Sequence, residues 1–190
     1  MTDASTAANS RLTVAFVHGA FADSSGWNEV AGQLQAAGIA VQAISNPLRG
    51  ITADAAYVAS AIRQIPGPVL AVGHSYGGAI ITNAALRADN VVGLVYVAAF
   101  APDEGETLAD IEGDSKDSVL NTALLQLQYP TGQGTGTAVE FAIDPAKFHD
   151  VITDLYRDDP LDPQEIGAFE WQTILAYMGE IGRASCRERV

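Results

Sequence analysis

The stretch that most constrains this chain is Val69-Leu70-Ala71-Val72-Gly73-His74-Ser75-Tyr76-Gly77-Gly78-Ala79-Ile80-Ile81. An apolar run enters a serine flanked by small residues, and an Ala- and Ile-rich run leaves it. That order predicts a buried strand, a sharp turn and a helix packed back on it, in the pattern G-x-S-x-G. Such a turn holds its serine in a strained backbone conformation, with the hydroxyl exposed above the strand end. Gly73 and Gly77 lie two residues either side of Ser75, where side chains would collide across the turn, and Gly78 lets the helix approach the strand. The helix also aims its amino-terminal dipole at Ser75, which favours negative charge developing there.

The turn needs a sheet to stand on, and the flanking sequence supplies one. Short apolar runs at 12–17, 39–44, 69–72 and 91–98 read as strands. Helices are expected between them. The first runs from caps at Ser24 or Ser25 to about 37, with Trp27, Val30, Ala31 and Leu34 at helical spacing. The second runs over 52–64, capped by Thr52, and the third from the serine turn to about 88. Strict alternation predicts an α/β fold with a parallel sheet covered on both faces. Right-handed crossovers and the elbow geometry suggest the spatial order second, first, third, fourth strand.

The pattern changes after Asp103. Residues 104–179 contain no convincing buried strand, but a polar loop, Gly132-Gln133-Gly134-Thr135-Gly136, and helical stretches near 117–128, 145–156 and 163–178. The expected organisation is an α/β core over 1–103, a helical cap over 104–179 and a separate tail over 180–190.

Composition narrows the partners. The chain has 190 residues, enough for one domain, is 48% hydrophobic and carries a net charge of −13. That charge argues against nucleic acid and anionic membrane surfaces and leaves a small molecule as the expected partner. The amino terminus has neither a basic segment nor an apolar one, and no run is long enough to span a membrane. Cys186 is the only cysteine, so neither a disulfide framework nor a cysteine metal site is expected, and a cytoplasmic protein is.

Three segments occur together in order: His18-Gly19-Ala20-Phe21 after the first strand, Gly73-His74-Ser75-Tyr76-Gly77-Gly78 after the third, and Val97-Ala98-Ala99-Phe100-Ala101-Pro102-Asp103 after the fourth. Together they resemble the α/β-hydrolase superfamily, and within it the small cofactor-free esterases grouped with plant methylesterases and hydroxynitrile lyases. The resemblance implies that Ser75 is a nucleophile attacking an ester carbonyl. It implies that the backbone N–H groups of Ala20 and Tyr76 form an oxyanion hole and that Phe21 lines the acyl pocket. His18 and Gly19 would be structural parts of the oxyanion loop, and His74 an elbow residue directed away from the serine. No metal or cofactor is implied. The alternatives are a hydroxynitrile lyase-like enzyme on the same scaffold and a non-catalytic ligand-binding member. A dehalogenase is disfavoured, because that chemistry places Asp where Ser75 stands.

A serine nucleophile needs a histidine base and an orienting carboxylate, which in this superfamily follow the serine in that chain order reversed: Ser, then Asp or Glu, then His. Only His149 follows Ser75, inside Ala146-Lys147-Phe148-His149-Asp150, without a strand-loop context. Asp103 is either a triad acid or a polar loop residue. The tail Glu180-Ile181-Gly182-Arg183-Ala184-Ser185-Cys186-Arg187-Glu188-Arg189-Val190 holds three of the ten basic residues and the only cysteine. It back-translates into a string that looks like a sequencing adapter. The expectation is therefore a native chain that departs from this one near 179–182, a catalytic His beyond it, and an inactive, aggregation-prone 190-residue fragment.

Overall fold

The first strand, β1 (Thr13–Val17), is buried at every position, and the sheet is assembled around it. The computed structural model describes residues 11–103, 106–112, 120–132, 134–148 and 150–151. A 3₁₀ turn (Ser24–Trp27), α1 (Asn28–Ala36), β2 (Ala40–Ile44), α2 (Ile51–Arg63), β3 (Val69–Ser75), α3 (Tyr76–Ala85) and β4 (Val91–Ala99) follow. These four strands pair in parallel in the order β2-β1-β3-β4, as expected from right-handed crossovers and the elbow.

Alternation along the strands divides the core into two layers. On one face Ala15 and Val17 of β1 and Val69 and Ala71 of β3 meet Val58 and Ile62 of α2 and Ile80 and Ile81 of α3. On the other, Val14, Phe16 and Val72 meet Trp27 and Val30. Phe16 and Trp27 stack with ring centroids 4.6 Å apart. Burying each large side chain contributes about 1.5–3 kcal/mol relative to leaving it in water. Among the described residues, no helix is long and apolar enough to cross a membrane.

Two caps differ from expectation. Asp23, not Ser24 or Ser25, closes the 3₁₀ turn, its carboxylate accepting the Ser25 N–H at 2.7 Å. Thr52 lies inside α2, which is capped by Gly50 at φ 112°, a conformation that glycine adopts without penalty. The N–H groups before α2 are taken instead by Asp54, one turn into the helix.

The described residues between 106 and 143 are less helical than their sequence suggests. Short helices α4 (Leu108–Glu112) and α5 (Leu120–Ala123) precede two antiparallel strands, β5 (Leu124–Pro130) and β6 (Thr137–Ile143). The helix expected near 117–128 therefore gives way to strand after Ala123. Leu124-Leu125-Gln126-Leu127-Gln128 contains no helix breaker, so its local preference misleads. Its partner, Thr137-Ala138-Val139-Glu140-Phe141-Ala142-Ile143, favours strand, and the Gly-rich loop closes the hairpin through a Thr131 N–H to Gly136 carbonyl bond of 3.0 Å. Of the stretch expected near 145–156, the Val151 N–H bonds the Lys147 carbonyl at 3.0 Å, one helical turn. His149, residues 152–156 of that stretch, the one near 163–178 and the tail lie outside the described residues.

Candidate active site

α3 begins at the residue that follows β3, with no loop between them. Ser75 has φ 51° and ψ −124°, a region that residues with a side chain rarely occupy. The β3–β4 register slips at the same place, between His74 and Ser75. The Ser75 carbonyl accepts the Phe100 N–H at 3.1 Å, so the loop after β4 supports the turn. Tyr76 opens α3, where the first backbone N–H groups have no partner within the helix. Among the described residues, none hydrogen-bonds the Ser75 hydroxyl.

Glycines permit this packing by contacts more specific than the sequence suggests. A Cβ on Gly73 would stand 2.5 Å from the Gly77 carbonyl oxygen, within the turn itself. One on Gly77 would meet the Val17 carbonyl oxygen at 2.3 Å, so Gly77 seats α3 on the end of β1. One on Gly78 would meet the Phe100 carbonyl oxygen at 2.4 Å, so the close approach there is to the end of β4, not to β3. One on Gly19 would lie 2.9 Å from the Ser75 Cβ, which brings the loop after β1 against the serine. In that loop Phe21 has φ 62°.

His18 is buried and both ring nitrogens are engaged. Its Nε2 accepts the Asn46 N–H at 2.8 Å, so the ring proton sits on Nδ1, 2.9 Å from the Gly19 carbonyl oxygen. The side chain thus joins the loops after β1 and β2, and it has no nitrogen left to accept a proton from Ser75. His74, next to the serine, is largely buried, and burial holds its imidazole below the ordinary histidine value. The unfolded chain therefore binds a proton that the folded chain refuses. His74 contributes stability that is complete above its ordinary titration range and is lost as pH falls toward the folded value. Going from about pH 7.5 to about pH 5.5, His74→Gln should lose less unfolding free energy than the wild type, read by urea denaturation; equal losses would contradict this. Asp103 lies in an exposed turn, its N–H bonded to the Glu106 carboxylate at 2.7 Å.

Beside the serine is an open cleft of about 590 Å³. Ser75 does not line it, but Phe21 and Tyr76 do, together with Arg49, Tyr129, Glu140 and Phe148. Arg49, Tyr129, Glu140 and Phe148 were not singled out from sequence, and the hairpin that carries Tyr129 and Glu140 meets Arg49 only in three dimensions. The Arg49 guanidinium lies 2.6 Å from the Glu140 carboxylate and 4.1 Å from the centre of the Tyr129 ring. The pair is partly exposed, so it contributes at most about 1 kcal/mol. Its effect is to join the loop after β2 to β6.

Asp54 was also missed. It is fully buried, and its carboxylate accepts the N–H groups of Arg49 (2.9 and 3.0 Å) and Gly50 (3.2 Å) and the Tyr76 hydroxyl (2.8 Å). Burial and this carboxylate push the Tyr76 phenol well above its ordinary value, so it stays protonated and donates. The available signal was a single acid in the first turn of a helix whose only other charged residue is Arg63 in its last turn.

A strained serine on a strand-to-helix turn, with a glycine loop from the first strand packed against it, defines a class. Residues 14–185 match the model of the alpha/beta hydrolase family, and the chain belongs to that family. Solved structures agree on the fold. Polyneuridine aldehyde esterase is 18% identical, with 74% of this chain and 61% of that one covered at a TM-score of 0.59. A tomato methylketone synthase I variant is 16% identical, with 74% and 59% covered at 0.55. An extracellular alpha/beta-hydrolase from a Paenibacillus species, described as sharing structural and functional homology with tobacco salicylic acid binding protein 2, is 24% identical, with 59% and 50% covered at 0.52. The chain spans roughly half to three fifths of the length of these structures. No curated protein matches it by sequence.

Proposed function

We propose that this protein is a serine-dependent carboxylesterase acting on small or medium esters, with Ser75 as nucleophile. The observation that carries the reading is the backbone of Ser75, φ 51° on a strand-to-helix turn, with Gly19 packed against its Cβ. In the first step the Ser75 Oγ attacks the ester carbonyl carbon and its proton passes to a base. The negative charge on the carbonyl oxygen is met by the backbone N–H groups of Ala20 and Tyr76. Collapse releases the alcohol, which takes the proton, and leaves an acyl group on Ser75; water then releases the acid and regenerates the hydroxyl. His18 has no free acceptor nitrogen, so we assign the base to a histidine outside the described residues. Phe21 forms part of the acyl wall, and residues 104–179 act as a cap over the α/β core. With a single cysteine in the chain, a reducing cytoplasmic setting fits best.

The lyase alternative needs a cation facing the substrate. Arg49 lines the cleft but is engaged by Glu140 and Tyr129, which favours ester hydrolysis. The test is a series of p-nitrophenyl esters on the protein expressed from its complete gene, followed by a fluorophosphonate and peptide mass mapping. Hydrolysis lost together with formation of a Ser75 adduct is expected. Hydrolysis that survives the reagent, or an adduct elsewhere, would remove Ser75 from the role.

A further inference from the structure

Asp54 does more than cap a helix. Removing a carboxylate from water is costly unless its oxygens receive hydrogen bonds, and here every donor belongs to a residue that lines the cleft: Arg49, Gly50 and Tyr76. The two amides would suffice to satisfy the end of α2, in the manner of an acid reaching back to the first N–H groups of its helix. The phenol is a separate matter. It comes from another element, 22 residues away, and from the residue that follows Ser75. Tyr76 is also the first residue of α3, so its ring and its backbone N–H share one Cα that the tight elbow leaves little room to adjust.

We propose that Asp54 is a positioning residue for the elbow: by holding the Tyr76 hydroxyl it fixes the backbone N–H of Tyr76 in line with the oxygen that becomes negative. The inference rests on the reading of Ser75 as nucleophile and the Tyr76 amide as an oxyanion donor. It also makes one unit of the elbow and the Arg49 wall, because Asp54 grips both. An amide donor matters most in the transition state, so its displacement lowers kcat and leaves ester binding almost untouched.

Tyr76→Phe is the decisive variant, since it removes the phenol and leaves both amides on Asp54. Its kcat on a p-nitrophenyl ester should fall about tenfold, with KM within about twofold and the melting midpoint near that of the wild type. Asp54→Asn keeps an acceptor oxygen for the phenol and should stay within about threefold of wild-type kcat. An unchanged kcat in Tyr76→Phe, or a raised KM with kcat intact, would make the ring a cleft wall only and overturn the proposal. A loss in Asp54→Asn as deep as in Tyr76→Phe would also overturn it, by giving the effect to the charge. Ser75→Ala serves as the control. Turnover that survives Ser75→Ala overturns the hydrolase reading and this inference together; turnover lost there but intact in Tyr76→Phe overturns this inference alone.

Discussion

Ser75→Ala, in the protein expressed from its complete gene, should lower kcat on an ester by about 10⁴–10⁶ while leaving the fold in place. The two halves of that expectation have separate causes. Alanine retains the Cβ that the Gly19 loop packs against, and it bears the backbone strain at φ 51° no worse than serine does. The turn, the α3 dipole and the backbone N–H groups of Ala20 and Tyr76 therefore stay where they are. The change removes one oxygen, and with it the bond that would join enzyme to acyl group. Residual hydrolysis should come only from the oxyanion donors and ordinary binding. The measurement is steady-state hydrolysis of a p-nitrophenyl ester beside a thermal melt. Activity above about a hundredth of wild type with an unchanged melt would remove Ser75 from the nucleophile's role.

The α/β core was legible in the sequence because its signals are local or nearly so. Short apolar runs alternate with helical spacing, and right-handed crossovers together with the elbow geometry point to the order β2-β1-β3-β4, although β3 runs on to Ser75. The residues around Ser75 were legible for the same reason: each belongs to a contiguous motif. The network around the cleft was not. Asp54 reads as an ordinary helix acid until Tyr76, 22 residues later, is folded against it. Arg49 and Glu140 are 91 residues apart, and no local pattern pairs them. The hairpin failed for a related reason. Leu and Gln suit a helix when read alone, and only the alternating partner strand decides otherwise. Of the four described residues with positive φ and a side chain, Phe21 and Leu48 line the cleft, Ser75 precedes Tyr76, which also lines it, and Ala98 lies in β4. Local propensity is overridden where the cleft is built, as expected where backbone strain serves a site.

The same chemical change at two glycines should have opposite signs, and the difference measures how tightly the elbow is seated. At Gly32, in the exposed middle of α1, an added Cβ meets nothing within 4 Å. Gly32→Ala should stabilise the protein by about 0.5–1 kcal/mol, because alanine loses less backbone freedom in a helix. At Gly77 the added Cβ would stand 2.3 Å from the Val17 carbonyl oxygen, 2.9 Å from that of His18 and 3.0 Å from the Val17 carbonyl carbon. All three are backbone atoms, at the end of a fully buried strand and the start of the loop that His18 ties to Asn46, so none can yield as a side chain could. Either α3 lifts from β1 or the His18-Gly19-Ala20 loop moves away from Ser75. Gly77→Ala should therefore cost more than about 3 kcal/mol, and the branched Gly77→Val more again. For a chain of this size that is a fall in the melting midpoint of at least about 6–12 °C, against a rise of about 1–4 °C for Gly32→Ala. A Gly77→Ala midpoint equal to the wild type would mean that α3 does not rest on β1 and that the turn at Ser75 is not an elbow.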